Sequence, residues 1–263
     1  MNILDKIIEQ KKIEVAERRA ITSEADLQQS ELYKRKCFSL KEFLLNDAKT
    51  GIIAEFKRQS PSKGIINNRS DVVDVTTAYT EHGASCLSVL TDEIFFGGTT
   101  NDLIKARVNN IPILRKDFII DEYQIIEAKS MGADVILLIA ACLSPERVAE
   151  LASFAKQIGL EVLLEIHNED ELKHICDGTE IVGVNNRDLK TFTVDINRSL
   201  ELSKKIPADK IKVAESGISD VDTINIFKDA GFKGFLIGEN FMKEKDPTIA
   251  FARFVNKLNA KET

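Results

Sequence analysis

Five short apolar segments of this sequence turn charged or polar at the same place, their last residues. The segment "IIAEFK" closes with Glu55 and Lys57. "ILRK" closes with Lys116, "EVLLEI" carries Glu165, "IVGVNN" carries Asn185 and "IKVAE" closes with Glu215. In a strand, residues two apart share a face. Glu55 and Lys57 therefore continue the row of Ile53, Lys116 that of Leu114, Glu165 that of Leu163, Asn185 that of Gly183 and Glu215 that of Val213. Buried charge is costly unless it is paired or used. One or two such ends would read as solvated ion pairs. Five of them, with acids and amines mixed, are the equipment of proton transfer.

Two glycine turns add a second kind of chemistry. Ser216-Gly217-Ile218-Ser219 follows Glu215, and Gly238-Glu239-Asn240 follows the last apolar run. Glycine lets backbone N–H groups come close to an anion. In many barrels the loops after the seventh and eighth strands hold phosphate in this way.

The elements that must carry these residues follow from hydrophobic periodicity. After Gly51 the pattern gives eight candidate strands, at 52–57, 84–90, 112–116, 134–140, 161–166, 180–185, 211–215 and 235–238. Amphipathic stretches at 121–131, 145–158, 169–176 and 221–230 lie between them. Strict alternation of strand and helix implies parallel pairing through right-handed crossovers. The expected fold is an α/β (β/α)8 TIM barrel, with an open doubly wound sheet as the alternative. Residues 1–50 read as an N-terminal helical extension. It starts with a helix over 3–19, whose stripe is Ile3, Ile7, Ile8 and Val15. A second helical stretch over 21–50 is expected to bury Leu40, Phe43, Leu44 and Leu45. No linker divides the chain, so 1–263 reads as a single barrel domain. The first barrel strand is expected no earlier than Gly51, with the extension packed outside the barrel.

Composition excludes several function classes. The 263 residues are 43% hydrophobic and 30% charged, with a net charge of -6. An acidic chain without a basic block is not expected to bind nucleic acid or an anionic membrane. The longest uncharged apolar run, 135–143, is far short of the roughly 20 residues that span a bilayer. Charges sit where a secretory leader needs an apolar core, so a cytoplasmic protein is expected. Cys37, Cys86, Cys142 and Cys176 are widely spaced and read as reduced thiols. His82, His167 and His174 lack metal-ligand spacing, and no metal is expected. Neither a GxGxxG after the first strand nor a GxxxxGK[ST] occurs, which weakens dinucleotide and P-loop readings.

Eight segments carry a specific resemblance. "IIAEFKRQSPSKG", "SVLTDEIFFGG", "ILRKDFIIDEYQI", "GADVILLI", "LLEIHNEDEL", "VGVNNRDL", "VAESGI" and "LIGENFM" occur in the order found in the indole-3-glycerol-phosphate synthase family, which the chain resembles from its N-terminal helix to beyond Met242. "ExKxxSPSKG" and "NNRDL" are the most specific parts. The resemblance implies a lyase of tryptophan biosynthesis working without metal or organic cofactor. Its phosphorylated small-molecule substrate is 1-(2-carboxyphenylamino)-1-deoxyribulose 5-phosphate. The enzyme closes the indole ring and expels carbon dioxide and water.

The resemblance also implies roles. Lys116 matches the general acid for ring closure and Glu165 the acid–base carboxylate of the dehydration steps. Glu55 and Asn185 would orient Lys116 and the substrate hydroxyls. Lys57 would hold phosphate and serve dehydration. Ser60 and Arg187 would meet the anthranilate carboxylate, and Glu215 the sugar hydroxyls. Phe96, Phe118, Leu137, Ile139 and Leu189 would wall the aromatic ring, although core packing alone would also explain such apolar residues. Ser216, Gly217, Gly238 and Glu239 would receive the phosphate. Where this chain has Asn240 the family often has Ser, so that side chain is left out of the expected site. The chain has no Trp, so any family Trp near the ring is replaced here. A monomer or weak homodimer is expected. Two alternatives remain: another phosphate-binding barrel such as phosphoribosylanthranilate isomerase, and a barrel that binds ligand without turnover. The first would call for Cys–Asp chemistry at strand ends that instead carry Glu and Lys.

Overall fold

The structure is a computed structural model describing residues 3–188 and 193–260; Leu189 lies outside the described residues. Eight parallel strands close into a barrel: β1 (Ile52–Phe56), β2 (Cys86–Leu90), β3 (Ile113–Lys116), β4 (Val135–Ile139), β5 (Glu161–Ile166), β6 (Ile181–Asn185), β7 (Ile211–Glu215) and β8 (Phe232–Ile237). Each strand pairs with its neighbours in sequence, and β8 closes on β1 through the register Ile53↔Leu236. The sequence-based reading of a closed barrel and of a first strand after Gly51 is met. β8 starts earlier than expected, because Phe232 is buried against Phe227 of the preceding helix and so extends the strand. Lys57 falls just past β1, in the turn it begins.

The outer helices start where the sequence supplies an oxygen for their free N–H groups. Asp71 caps Val72–Glu81, Thr99 caps Thr100–Ala106, Asp121 caps Glu122–Ser130 and Asp220 caps Val221–Asp229. Pro145 and Pro247 open the helices behind Ser144 and Asp246, where proline's missing N–H costs nothing. The stretch after β5 is a 3₁₀ turn, Glu169–His174.

The barrel interior is filled in layers. Ile53, Leu114, Leu163 and Val213, from the four odd strands, are buried in one cluster. Two residues further along the same strands stand Glu55, Lys116, Glu165 and Glu215. Alternate strands each contributing one residue to a layer is the packing rule of this barrel type. Here the outermost odd-strand layer is made of three acids and one amine.

The N-terminal extension closes both ends. The expected continuous helical stretch over 21–50 is instead three short helices: α2 (Glu24–Gln29), α3 (Glu31–Lys34) and α4 (Leu40–Leu44). Ser23, Ser30 and Ser39 each begin a new helix and break the run. Leu40 and Leu44 of α4 join the interior cluster and plug the barrel floor, while Leu45 is 49% exposed and not part of that buried face. Buried Asp134 receives the Arg35 and Arg107 guanidinium groups and the Phe38 N–H, fixing the connection under the floor.

The first helix, α1 (Ile3–Ile21), crosses the opposite end. Its Lys11 is fully buried. Lys11 Nζ lies 2.9 Å from Asp92 Oδ2, 3.0 Å from Asp117 Oδ1 and 2.8 Å from Glu14 Oε2. Burial opposes the charge, but Asp117 and Asp92 outweigh it and hold the amine above its ordinary range. Asp92 caps the short helix that carries Phe96, and Asp117 directly follows Lys116. One lysine thus ties α1 to two strand ends of the mouth. Removing one partner of a buried charge cluster leaves the others uncompensated, which costs about 3–5 kcal/mol. Lys11→Met is expected to lower the unfolding free energy by about that much, seen as a lower urea midpoint at an unchanged slope. A midpoint equal to that of the native chain would show the cluster to be energetically idle.

Candidate active site

The four charges of the outermost layer do not stand apart. Lys116 Nζ lies 3.3 Å from Glu165 Oε2 and 3.6 Å from Glu215 Oε2. Lys57 Nζ lies 2.7 Å from Glu55 Oε1, and Ser88 Oγ stands 3.5 Å from the other oxygen of Glu55. Asn185 Nδ2 donates to Glu165 Oε1 at 3.1 Å, and Asn185 Oδ1 accepts the Arg187 N–H at 3.0 Å. A residue the sequence reading passed over adds a further charge: His167 Nε2 lies 3.0 Å from Glu165 Oε1. That contact is too oblique for a good hydrogen bond and acts as a charge contact.

This packing needs two missing side chains. A Cβ on Gly183 would lie 2.0 Å from Glu215 Oε1, and a Cβ on Gly238 would lie 2.5 Å from Glu55 Oε1. Both positions must be glycine for these carboxylates to fit.

Burial and neighbouring charge compete at every group, and the outcomes differ. Burial opposes charge on Lys116, but Glu165, Glu215 and Glu55 surround it and hold its proton more firmly than usual. Burial would raise Glu165, but Lys116, His167 and Asn185 hold its carboxyl well below the ordinary range. Glu55 is likewise held low, against burial, by Lys57 and Lys116. Glu215 goes the other way. Burial and the charge of Glu165 push it up, more than Lys116 can offset, and its Oε1 is buried without a hydrogen-bond partner.

Above this layer lies a cavity of about 310 Å³. It is lined by Glu55, Lys57, Lys116, Glu165, Asn185 and Glu215 at its base. Phe96, Phe118, Leu137 and Ile139 form an apolar side, with the two rings 6.1 Å apart. Ser60, from a two-stranded ribbon of Gln59–Ser60 with Gly64–Ile65, reaches it together with Arg187. Ser216, Gly217, Gly238 and Glu239 line the rest. Every site residue expected from the sequence is therefore on one cavity, except Leu189, which lies outside the described residues.

The cavity also has walls the sequence did not suggest. Ile3, Leu4 and Ile7 of α1 roof it, so the extension contributes to the site and does not merely pack outside the barrel. Their signal was the apolar stripe of α1, which periodicity assigns to any buried surface alike. Asn240 also lines the cavity, and its Nδ2 donates to Ser219 O at 3.2 Å, joining the two glycine turns.

Among the described residues, Ser216 is the non-glycine residue with positive φ, at 67°, followed by Gly217 at 72°. Such a conformation is uncommon for a side-chain-bearing residue. Asn186 Nδ2, donating to Ser216 O at 2.7 Å, holds it there.

Residues 4–254 match the family described as indole-3-glycerol phosphate synthase. The chain is 45% identical over 258 residues to the indole-3-glycerol phosphate synthase of Bacteroides thetaiotaomicron, covering 98% of this chain and 99% of that one. It is 40% identical to the one from Bordetella pertussis, covering 97% and 99%. The chain belongs to the indole-3-glycerol phosphate synthase family. Solved structures that resemble it at 13% identity bear on the fold alone. One is 3-hexulose-6-phosphate synthase from Salmonella typhimurium (TM-score 0.63, covering 81% of this chain and 99% of that one). Another is KGPDC from Streptococcus mutans (TM-score 0.57, covering 81% and 98%).

Gly238→Ala tests how closely the layer is packed. The added carbon would lie 2.9 Å from Glu55 Cβ as well as against the carboxylate, so Glu55 must move. Misplacement by about 1 Å in an active site can cost on the order of 100-fold in rate. The variant is expected to keep its circular dichroism spectrum and lose turnover on that scale. Unchanged turnover would mean that Glu55 needs no fixed place.

Proposed function

We propose that the cavity binds 1-(2-carboxyphenylamino)-1-deoxyribulose 5-phosphate and converts it to indole-3-glycerol phosphate, with Lys116 as the acid that drives ring closure. The family's reaction is that of a carboxy-lyase in tryptophan biosynthesis. The observation that carries the residue assignment is the Lys116 ammonium, fixed among carboxylates at the floor of a cavity with an apolar side and a glycine-turn side.

The proposed sequence follows from that placement. The aromatic ring lies along Phe96, Phe118, Leu137 and Ile139, the phosphate at Ser216, Gly217, Gly238 and the Glu239 backbone, and the ribulose chain across Lys116. The carboxylate-bearing ring carbon attacks the ribulose carbonyl, whose oxygen gains negative charge. Lys116 stabilises that charge and gives it a proton. Loss of carbon dioxide then restores the aromatic ring. Loss of water follows, with Glu165 moving the proton and Lys57 assisting the departing hydroxyl. Glu55 holds Lys57, Asn185 holds Glu165, and Glu215 binds sugar hydroxyls. Ser60 and Arg187 receive the anthranilate carboxylate, Arg187 through two N–H groups. Every group named comes from one barrel mouth, so a monomer in the cytoplasm suffices as the working unit.

Steady-state kinetics with direct substrate-binding measurements test the assignment. Lys116→Ala should lower kcat by on the order of 100-fold or more, the scale of a general acid, with a much smaller change in affinity. Lys57→Ala should raise KM and also lower kcat through dehydration. Lys116→Arg should stay poor, because a guanidinium keeps its proton. Near-normal kcat in Lys116→Ala, with Lys57→Ala inactive yet binding normally, would reverse the roles. For the phosphate, sulfate or phosphate soaked into crystals is expected beside the amides of Gly217 and Gly238. Density for the anion only at the opposite barrel face would remove the site.

A further inference from the structure

His167 sits one residue beyond β5, does not line the cavity and takes no part in the sequence proposed above. It is 6% exposed. Its two ring nitrogens face two carboxylates: Nε2 lies 3.0 Å from Glu165 Oε1, and Nδ1 lies 3.3 Å from Glu171 Oε2. Glu171 is itself fixed. It accepts the His167 backbone N–H at 2.7 Å and the Asn168 side-chain amide at 2.8 Å. The 3₁₀ turn Glu169–His174 explains this closure, since it brings residue 171 back over residue 167. His174 anchors the turn from the other side, its ring nitrogens lying 3.0 Å from Glu171 O and 3.0 Å from Leu143 O.

We propose that His167 is a positioning residue for the reaction: clamped by Glu171, it presents a fixed cation to Glu165 and keeps that carboxylate oriented and charged beside Lys116. A neutral imidazole leaves one ring nitrogen with a lone pair and no proton, which would face a carboxylate oxygen here, whereas an imidazolium turns a protonated nitrogen toward each of the two acids. The proposal rests on the acid–base role given to Glu165. Charge balance in the layer supports it. His167 stands between two carboxylates held in the ionised form's geometry, Glu165 and Glu171, while Lys116 is shared between Glu165 and Glu215. Burial opposes that charge, but Glu165 and Glu171 together push the imidazole up to about 10. The other groups facing this pair do not compete. Cys142, on the segment 140–142, has its thiol pushed up to about 12 by burial and by Glu165, Glu171 and Asp5, and stays neutral. Glu215 and Lys116 approach Glu165 from β7 and β3, on the barrel side.

The linkage has a defined sign. A cation whose folded value lies above its ordinary one stabilises the fold fully below about pH 6.5, and that contribution is lost as pH rises through about 10. The stability gap between the native chain and His167→Gln should therefore be widest at about pH 6.5 and just below, narrow through neutrality and close near pH 10.

The experiment is the pH dependence of kcat and KM for the native chain, His167→Gln and Glu165→Gln. Imidazole nitrogen NMR of the native chain, with His167 assigned through its backbone, accompanies it. In His167→Gln the acid limb of kcat is expected to move up by about one to three pH units, the usual effect of losing an adjacent opposite charge. KM should stay within about twofold. A residue that only held the fold together would lower the amount of active protein and leave the profile parallel to the native one. That result would overturn the proposal. If the variant does not fold, the native spectrum decides. Both ring nitrogens protonated at pH 8 support the cation, and a neutral imidazole at pH 8 overturns it. Glu165→Gln separates the two readings. If it keeps its turnover, the role given to Glu165 fails. If it is inactive while the His167→Gln profile is unshifted, only the proposal for His167 fails.

Discussion

A half-buried lysine ammonium facing three carboxylates can exist only in a scaffold that holds all four groups still. Lys116, Glu55, Glu165 and Glu215 come from four different strands, and no local sequence segment could bring them together. Closing the sheet does this by setting one residue per odd strand at a common height. The apolar layer beneath them, from Ile53 to Val213, supplies rigidity and keeps water out. Low local polarity strengthens each charge contact and penalises each unpaired charge. The even strands make room. Gly183 on β6 yields its side-chain space to Glu215, and Gly238, just past β8, yields to Glu55, so these two glycines are as much a part of the charged layer as the charges.

The N-terminal extension answers to the same constraint from outside. A barrel built this way has two open ends, and each would let water reach the interior. Leu40 and Leu44 shut the floor, and Ile3, Leu4 and Ile7 narrow the mouth. The mouth helix has to lie over charged strand ends, so an apolar stripe alone could not dock it. Lys11 solves this by meeting Asp92 and Asp117 with a single buried amine. The contact reaches the wall residue Phe96 through its helix cap and stands next to Lys116 in sequence, joining the extension to the chemistry.

Much of this was legible in the sequence because it is periodic. Apolar runs of strand length, separated by helical stretches, give a barrel directly, and polar residues at the ends of inward rows give its mouth. What escaped has no period. Lys11 reads as one more charge on a charged helix. His167 reads as an isolated histidine, because its partner Glu171 is reached through a 3₁₀ turn and not through a strand or an α-helix. The stretch from 21 to 50 has helix-forming residues throughout. Its division into three helices depends on three serines, each equally at home on a helix surface. The strained Ser216 is likewise invisible until the Asn186 contact that holds it is seen.

The charged layer also explains how carboxylates of one chemical type can take different roles. Glu165 and Glu215 both flank Lys116, and both are buried. Glu165 has further support from His167 and Asn185, whereas one oxygen of Glu215 has none. Two neighbouring carboxylates that share one cation resist joint ionisation, so a proton falls to the less supported of the two. Environments that push two acids apart in this way separate their roles. In the proposed reaction the supported Glu165 stays ionised and can take a proton. Glu215, biased toward its neutral form, can offer a hydrogen bond to a sugar hydroxyl. The firmly held proton of Lys116 fits the same scheme. None of the adjacent carboxylates is basic enough to remove it, but an alkoxide formed at the former carbonyl is a far stronger base than any of them. The ammonium therefore keeps its proton until ring closure creates the one group able to take it.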